Sequence, residues 1–372
     1  MTVPSHCRAL IVLIVTLGAS AQEPPKRPPN IYHFTPAAAD AAPVQLHADR
    51  TVTFRLSAPK AAAVAVSLGS QSHPLTKDSA GLWTVTLGPL EPEIYSYRFI
   101  VDGASFPPGV VEVPGRPPRF DELQNVPHGA LHILSYASTV LKRDRRIYVY
   151  VPPAYEREAA GKFPVLYLRH GAGGNETTWS EQLRAHVILD NLLAAHRAVP
   201  MLIVMPSGNP DGSPYPGTQP EGKDLIEKEL FADILPLIEK SYRVRPGREN
   251  RAIAGLSMGG GQAFTTGLKN LDKFAWVGEF SSGFVSDADF QLANHLPGFL
   301  EDPAASNKKL SFFFLSCGTE DPRYPGHLDL IDLLRQHHIR HQWFSTPGGH
   351  EGKVWRHSLF EFAPQLFQPQ GH

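Results

Sequence analysis

From Arg251 to Gly261 the chain reads RAIAGLSMGGG, a G-x-S-x-G spacing centred on Ser257. A serine hydroxyl is a weak nucleophile until a base takes its proton, and that base needs a carboxylate to fix its tautomer. The spacing alone arises by chance, so the rest of the chain must supply a base, an acid and an oxyanion site. Among 17 histidines, His350 is the best base. It lies in STPGGHEGKVW, a glycine loop after the last apolar run. His337, His338 and His341 surround the end of a helical pattern and read as solvated. Asp321, in CGTEDPRY, follows the apolar run LSFFFLSCG and is the candidate acid, with Glu320 beside it as competitor. The chain order is then Ser, Asp, His.

Acyl transfer also needs two N–H donors aimed at the developing oxyanion, each worth about 3 kcal/mol. Met258, the residue after the serine, is expected to give one. The other is expected from YLRHGAGGNETTW, where a strand runs into His170-Gly171-Ala172. The Ala172 N–H is the candidate, against a plain glycine turn. Trp179 either lines an acyl pocket or packs at a helix start, and Trp355 is expected to pack against the sheet. The chain has no H-E-x-x-H, no C-x-x-C and no complete G-x-x-x-x-G-K-S/T. No metal motif therefore competes, and the chemistry needs no cofactor.

These residues need a scaffold that brings strand ends together. RRIYVYVPP, FPVLYLRHG, MLIVMPSG, RAIAG, FAWVGEFSSG, LSFFFLSCG and HQWFSTPGG read as strands. TTWSEQLRAHVILDNLLAAHRA, DLIEKELFADILPLIEKSYR, GGQAFTTGLKN and LDLIDLLRQHH read as helices between them. Such alternation predicts a mostly parallel sheet with helices on both faces. Ser257 then occupies a strand-to-helix turn, with Gly255, Gly259 and Gly260 giving the room that a sharp turn requires. Ligands of open α/β sheets sit at the carboxyl edge, where all three candidates fall.

Upstream, residues 44–109 change to period two. Val52, Phe54 and Leu56 alternate with polar neighbours, as do Val64, Val66 and Leu68 and then Tyr95, Tyr97 and Phe99. This predicts a small β-sandwich. Trp83, Tyr95 and Tyr97 are either its core or a sugar platform, and their common phase favours core. Residues 110–126 form a Pro-rich linker, and residues 127–368 the α/β domain.

The first 21 residues read as an export signal, with Arg8, the apolar run ALIVLIVTLGA and an A-x-A cleavage site at Ala19-Ser20-Ala21; an uncleaved anchor is the alternative. Residues 22–43 read as a flexible lead-in. The expected location is periplasmic or extracellular, with no membrane insertion once the signal is removed. Of the two cysteines, only Cys317 follows the signal, so no intrachain disulfide forms. A formal net charge of −1 without long basic runs argues against nucleic-acid partners.

RENRAIAGLSMGG, YLRHGAGGNETTW, CGTED and TPGGHEGKVWR together resemble the feruloyl esterase and acetyl xylan esterase family, which includes esterase-D-like and enterochelin esterase-like members. The similarity spans roughly residues 127–367. It implies an α/β-hydrolase fold with Ser257 as nucleophile, Asp321 as acid, His350 as base, and Met258 and Ala172 as oxyanion donors. VTFRLSAPKAAAVAVSLGS and GLWTVTLGPLEPEIYSYRFIVDG resemble the early-set, glycogen-binding-type Ig-like domain that precedes such esterases. The implied substrates are small esters or polysaccharide esters: feruloyl or acetyl groups on plant polysaccharide. A siderophore esterase, an acyltransferase on the same triad and a non-catalytic binding protein are the rivals. One position departs from the family. Relatives often carry Trp two residues after the base, where this chain has Gly352, which puts inherited substrate preference in doubt. The loops at residues 206–222 and 283–307 are expected to shape the pocket.

Overall fold

The computed structural model describes residues 42–69, 71–211, 220–283, 285 and 290–368. The expected export signal and most of the expected lead-in lie outside these residues, as do parts of both loops expected to shape the pocket. Among the described residues, no helix is long and apolar enough to cross a membrane.

The chain divides into two compact units, the first of residues 42–91 and 95–111, the second of 92–94 and 112–368. Strands of the first are β1 Val44–Leu46, β2 Val52–Ser57, β3 Val64–Leu68, β4 Gln71–Pro74, β5 Thr76–Lys77, β6 Leu82–Leu87, most of β7 Glu93–Val101, β8 Ala104–Ser105 and most of β9 Gly109–Val113. They form two sheets, one ordered β1-β2-β6-β5, the other β4-β3-β7-β8 with β9 also on β7. Phe54 of the first sheet meets Tyr97 and Phe99 of the second, with ring centroids 5.2 and 6.3 Å apart. The period-two pattern thus buries one face of each sheet against the other, as in a small β-sandwich. Trp83 belongs to this core: it is buried, and its indole N–H donates to Ala58 O at 2.9 Å.

The second unit holds a sheet of β10 Ala130–Ser138, β11 Arg143–Val151, β12 Val165–Arg169, β13 Leu202–Pro206, β14 Arg251–Leu256, β15 Trp276–Phe280, β16 Phe312–Gly318 and β17 Gln342–Thr346. Their spatial order is β10-β11-β13-β12-β14-β15-β16-β17. β10 and β11 pair antiparallel, β11 joins β13 antiparallel, and from β13 to β17 every pair is parallel. The carboxyl ends of β12, β14, β16 and β17 therefore share one edge. All residues of β12, β13 and β15 are buried, as both-faced burial of parallel strands requires.

Helices α1 Pro153–Arg157, α2 Ala185–Ala194, α3 Pro220–Glu229, α4 Leu235–Ser241, α5 Ser257–Lys269, α6 Leu292–His295, α7 Pro303–Lys309, α8 Tyr324–Gln336 and α9 Gly352–Phe362 complete the unit. On one sheet face Val165, Tyr167 and Ile253 pack with Phe264 of α5, Ile238 of α4 and Ile331 of α8. On the other, Leu166, Leu168 and Ala254 pack with Ile188 of α2 and Phe362 of α9. This is an α/β-hydrolase architecture preceded in the chain by a small β-sandwich.

Two helices expected as single pieces are broken. Residues 178–182 form a π-helical turn, and Arg184 is left-handed at φ 54° before α2 begins. Between α3 and α4 lies a second π-turn, Leu230–Ile234, where Pro236 has no N–H to return to the Ala232 carbonyl.

Candidate active site

β14 runs extended to Leu256, at φ −109° and ψ 146°, and α5 starts at the next residue. Ser257 takes the whole reversal at φ 50°, a left-handed value unfavourable for a residue with a Cβ. The flanking glycines are needed for space. A Cβ on Gly255 would lie 2.4 Å from Gly259 O, and one on Gly259 would lie 2.4 Å from His170 O. The glycine-serine-glycine spacing is therefore what lets strand, helix and neighbouring β12 backbone crowd together at one point.

The loop after β17 brings His350 over this turn. Its Nε2 lies 2.9 Å from Ser257 Oγ, and its Nδ1 lies 2.7 Å from Asp321 Oδ2. A carboxylate only accepts, so Nδ1 carries the proton and Nε2 is left to accept from the serine hydroxyl. Asp321 is 2 % exposed, whereas Glu320 stands in solvent, which decides between the two carboxylates. Burial pushes the Asp321 carboxyl up, but the hydrogen bond from His350 and the backbone N–H of Arg323, 3.0 Å from Oδ1, more than offset this. The group is held below its ordinary value and stays ionised.

Asp321 rests on a second buried layer. His327 of α8 donates through Nδ1 to Arg323 O at 2.8 Å, and its Nε2 lies 3.2 Å from Glu279 Oε1. Burial pushes the His327 imidazolium down, but the Glu279 charge outweighs it and holds the ring well above the usual histidine value. Glu279 Oε1 also accepts the Ser282 N–H.

Met258 is the second residue of α5, so its N–H is one of those that the helix itself leaves unpaired. Across the turn, a Cβ on Gly171 would lie 3.2 Å from Ser257 Cβ, so the loop carrying Ala172 passes directly over the serine. Ala172 is exposed.

The aromatic residues sort differently. Trp179 takes the packing alternative. It is 1 % exposed, its indole N–H donates to Arg169 O at 2.8 Å, and it meets Phe280 edge-on. It offers substrate no surface. Trp355 packs on the sheet core as expected, but it also stands edge-on to His350, centroids 5.0 Å apart. It lies one turn of α9 beyond Gly352, so the base has an aromatic neighbour although position 352 supplies none. A Cβ on Gly352 would lie 3.1 Å from both Leu183 Cδ2 and Arg356 Nη1. The roles of Trp355, Arg323 and His327 escape the sequence. Only the closeness of Arg323 to Asp321 hints at one of them. His337 and His338 are exposed and His341 half-buried.

A family model described as Esterase matches residues 138–366. The endo-1,4-beta-xylanase/feruloyl esterase of Xylanibacter ruminicola is 30% identical over 338 residues, covering 85% of this chain and 44% of that protein. The structure of a ferulic acid esterase from Anaeromyces mucronatus in complex with ferulic acid is 25% identical, with a TM-score of 0.56, covering 66% of this chain and 93% of that one. The enterobactin esterase of Shigella flexneri reaches a TM-score of 0.62 at 16% identity, covering 86% of this chain and 93% of that one, a likeness of fold alone. The chain spans about half the length of the first curated relatives it matches.

Proposed function

The chain belongs to the Esterase family, and from that premise we propose that it is an exported serine carboxylic-ester hydrolase acting through Ser257, His350 and Asp321. The two hydrogen bonds that link these three side chains carry the reading. Ser257 Oγ attacks the ester carbonyl as His350 Nε2 takes its proton. Asp321 keeps the imidazole in the right tautomer and stabilises the imidazolium. The N–H groups of Met258 and Ala172 hold the tetrahedral oxyanion. His350 returns its proton to the departing alcohol, and water then attacks the acyl-enzyme by the same steps in reverse.

The names of these relatives support feruloyl esters of plant polysaccharide as substrates, and a further relative named as an acetyl esterase, 21% identical, supports acetyl esters. Siderophore lactone cleavage, the activity named for the enterobactin esterase, is the rival reading, and a likeness of fold alone does not favour it. An anionic iron complex calls for free positive charge. Of the three arginines lining the pocket beside residues 174–176, Arg145 is paired with Glu229 and Arg146 with Glu176, which leaves the exposed Arg143.

Purified protein is tested on methyl ferulate, acetylated xylan, enterobactin and p-nitrophenyl acetate, together with fluorophosphonate labelling. Labelling at Ser257 that disappears in Ser257→Ala, along with all turnover, is expected. An unlabelled Ser257 refutes the mechanism, and turnover of enterobactin alone refutes the polysaccharide reading.

A further inference from the structure

We propose that His170 is a positioning residue that aims the second oxyanion donor, an inference that rests on the hydrolase reading above. His170 leaves the end of β12 and is 1 % exposed. Its Nδ1 lies 2.8 Å from Gly171 O and its Nε2 2.8 Å from Gly208 N. A carbonyl oxygen only accepts and a backbone N–H only donates. Nδ1 therefore carries the proton and Nε2 accepts, which defines a neutral ring in a single tautomer. Burial pushes the ring down to about 4, the Gly171 hydrogen bond opposing and the Arg169 charge assisting, so this state is filled at neutral pH.

The Gly171 carbonyl and the Ala172 N–H are opposite ends of one trans peptide plane and point in opposite directions. Holding one aims the other. The Gly174 N–H, 3.1 Å away, is a second donor to the same carbonyl. Without these clamps, a Gly-Ala-Gly-Gly segment has little to stop the plane from turning. Gly173 already sits at φ 78°.

The other ring nitrogen extends the network. Gly208 O accepts from Gln262 Nε2 at 2.9 Å, and Gln262 lies one turn beyond Met258 on α5. His170 thus ties the loop that carries Ala172 to the helix that carries Met258. The two donors are held in register by a path through the loop after β13.

The two hydrogen bonds of the ring can be separated by substitution. His170→Asn keeps a donor at the Nδ1 position and loses the acceptor for Gly208. His170→Gln reaches Gly208 and loses the donor to Gly171. For the full chain, kcat and KM on p-nitrophenyl acetate are measured with the rate of fluorophosphonate labelling and the Tm. His170→Gln is expected to lower kcat and labelling rate about 10- to 100-fold at unchanged KM. His170→Asn stays within about 5-fold of the wild type, the effect of one lost hydrogen bond. Equal losses in both variants, a wild-type rate in His170→Gln, or losses that follow Tm across the variants overturn the proposal. If His170→Gln does not fold, Gln262→Met serves, with an expected kcat loss of about 2- to 5-fold at unchanged KM, no larger than that of His170→Asn; a wild-type kcat there, or a loss above that of His170→Asn, overturns it. An unlabelled Ser257 in the wild type defeats the hydrolase reading itself, whereas a labelled wild type with an unimpaired His170→Gln defeats only the role of His170.

Discussion

Each flank of Ser257 contains a buried histidine, and the two rings are kept in different charge states, one neutral and one positive. His170, on the β12 side, meets only backbone groups and is neutral. His327, on the β16 side, meets the Glu279 carboxylate and is charged. The difference follows the work asked of each flank. On the hydrolase reading the oxyanion side presents N–H dipoles, which backbone clamps aim, and the buried Arg169 beside His170 adds positive charge there. The acid side must keep a carboxylate ionised in a dry place, which needs hydrogen bonds to that carboxylate from an anchored partner. Arg323 is anchored there by the charged His327.

The comparison breaks most visibly at the acid. Asp321→Asn should leave the fold intact and lower kcat about ten-thousand-fold, because the wrong imidazole tautomer then faces Ser257. Steady-state kinetics with circular dichroism check this; a loss under tenfold would mean that the acid side does not set the tautomer. The next largest effect is on stability. Glu279→Gln leaves His327 without its counter-charge and should cost about 3–5 kcal/mol in urea unfolding. A loss below 1 kcal/mol would show that the pair is not the anchor described here.

The smallest effect is also the most direct, since it reads both rings at once through pH. His327 is held above 6.5, so its stabilisation is present below pH 6.5 and lost as pH rises through its raised value. His170 is held at about 4, so its contribution is present above pH 6.5 and lost as pH falls towards 4. Wild-type stability should therefore decline on both sides. His170→Asn should flatten the acid decline, on the order of 3 kcal/mol, and Glu279→Gln the alkaline one. Parallel pH profiles for the wild type and both variants would erase the distinction between the flanks.

The sequence reveals the parts of the site that rest on backbone pattern. Strand, turn and helix around Ser257 are legible because glycines at 255 and 259 have a steric cause. Asp321 and His350 are legible because each follows an apolar run at the same sheet edge. β10 is not, because its two faces carry apolar residues in both phases. Leu134 and Tyr136 pack on the core while Leu131 and Ile133 are exposed, so alternation marks no single buried face. Contacts made by long side chains are equally hidden. Trp179 turns into the core and Trp355 turns to the base, although both are tryptophans near helix starts. What separates them is the direction set by the π-turn at residues 178–182 and by the first turn of α9, which no spacing rule encodes.

The sheet order also governs when the hydroxyl becomes reactive. Ser257 and His350 are 93 positions apart, and the second meets the first only after β15, β16 and β17 have added in parallel beyond β14. Each step from β14 to β17 closes its own loop before its contacts reward it, so His350 reaches Ser257 only through three successive pairings. A chain still assembling has the serine and its turn but no base. On the hydrolase reading its chemistry waits for the outermost strand, and the return of activity after dilution from denaturant should time the arrival of β17.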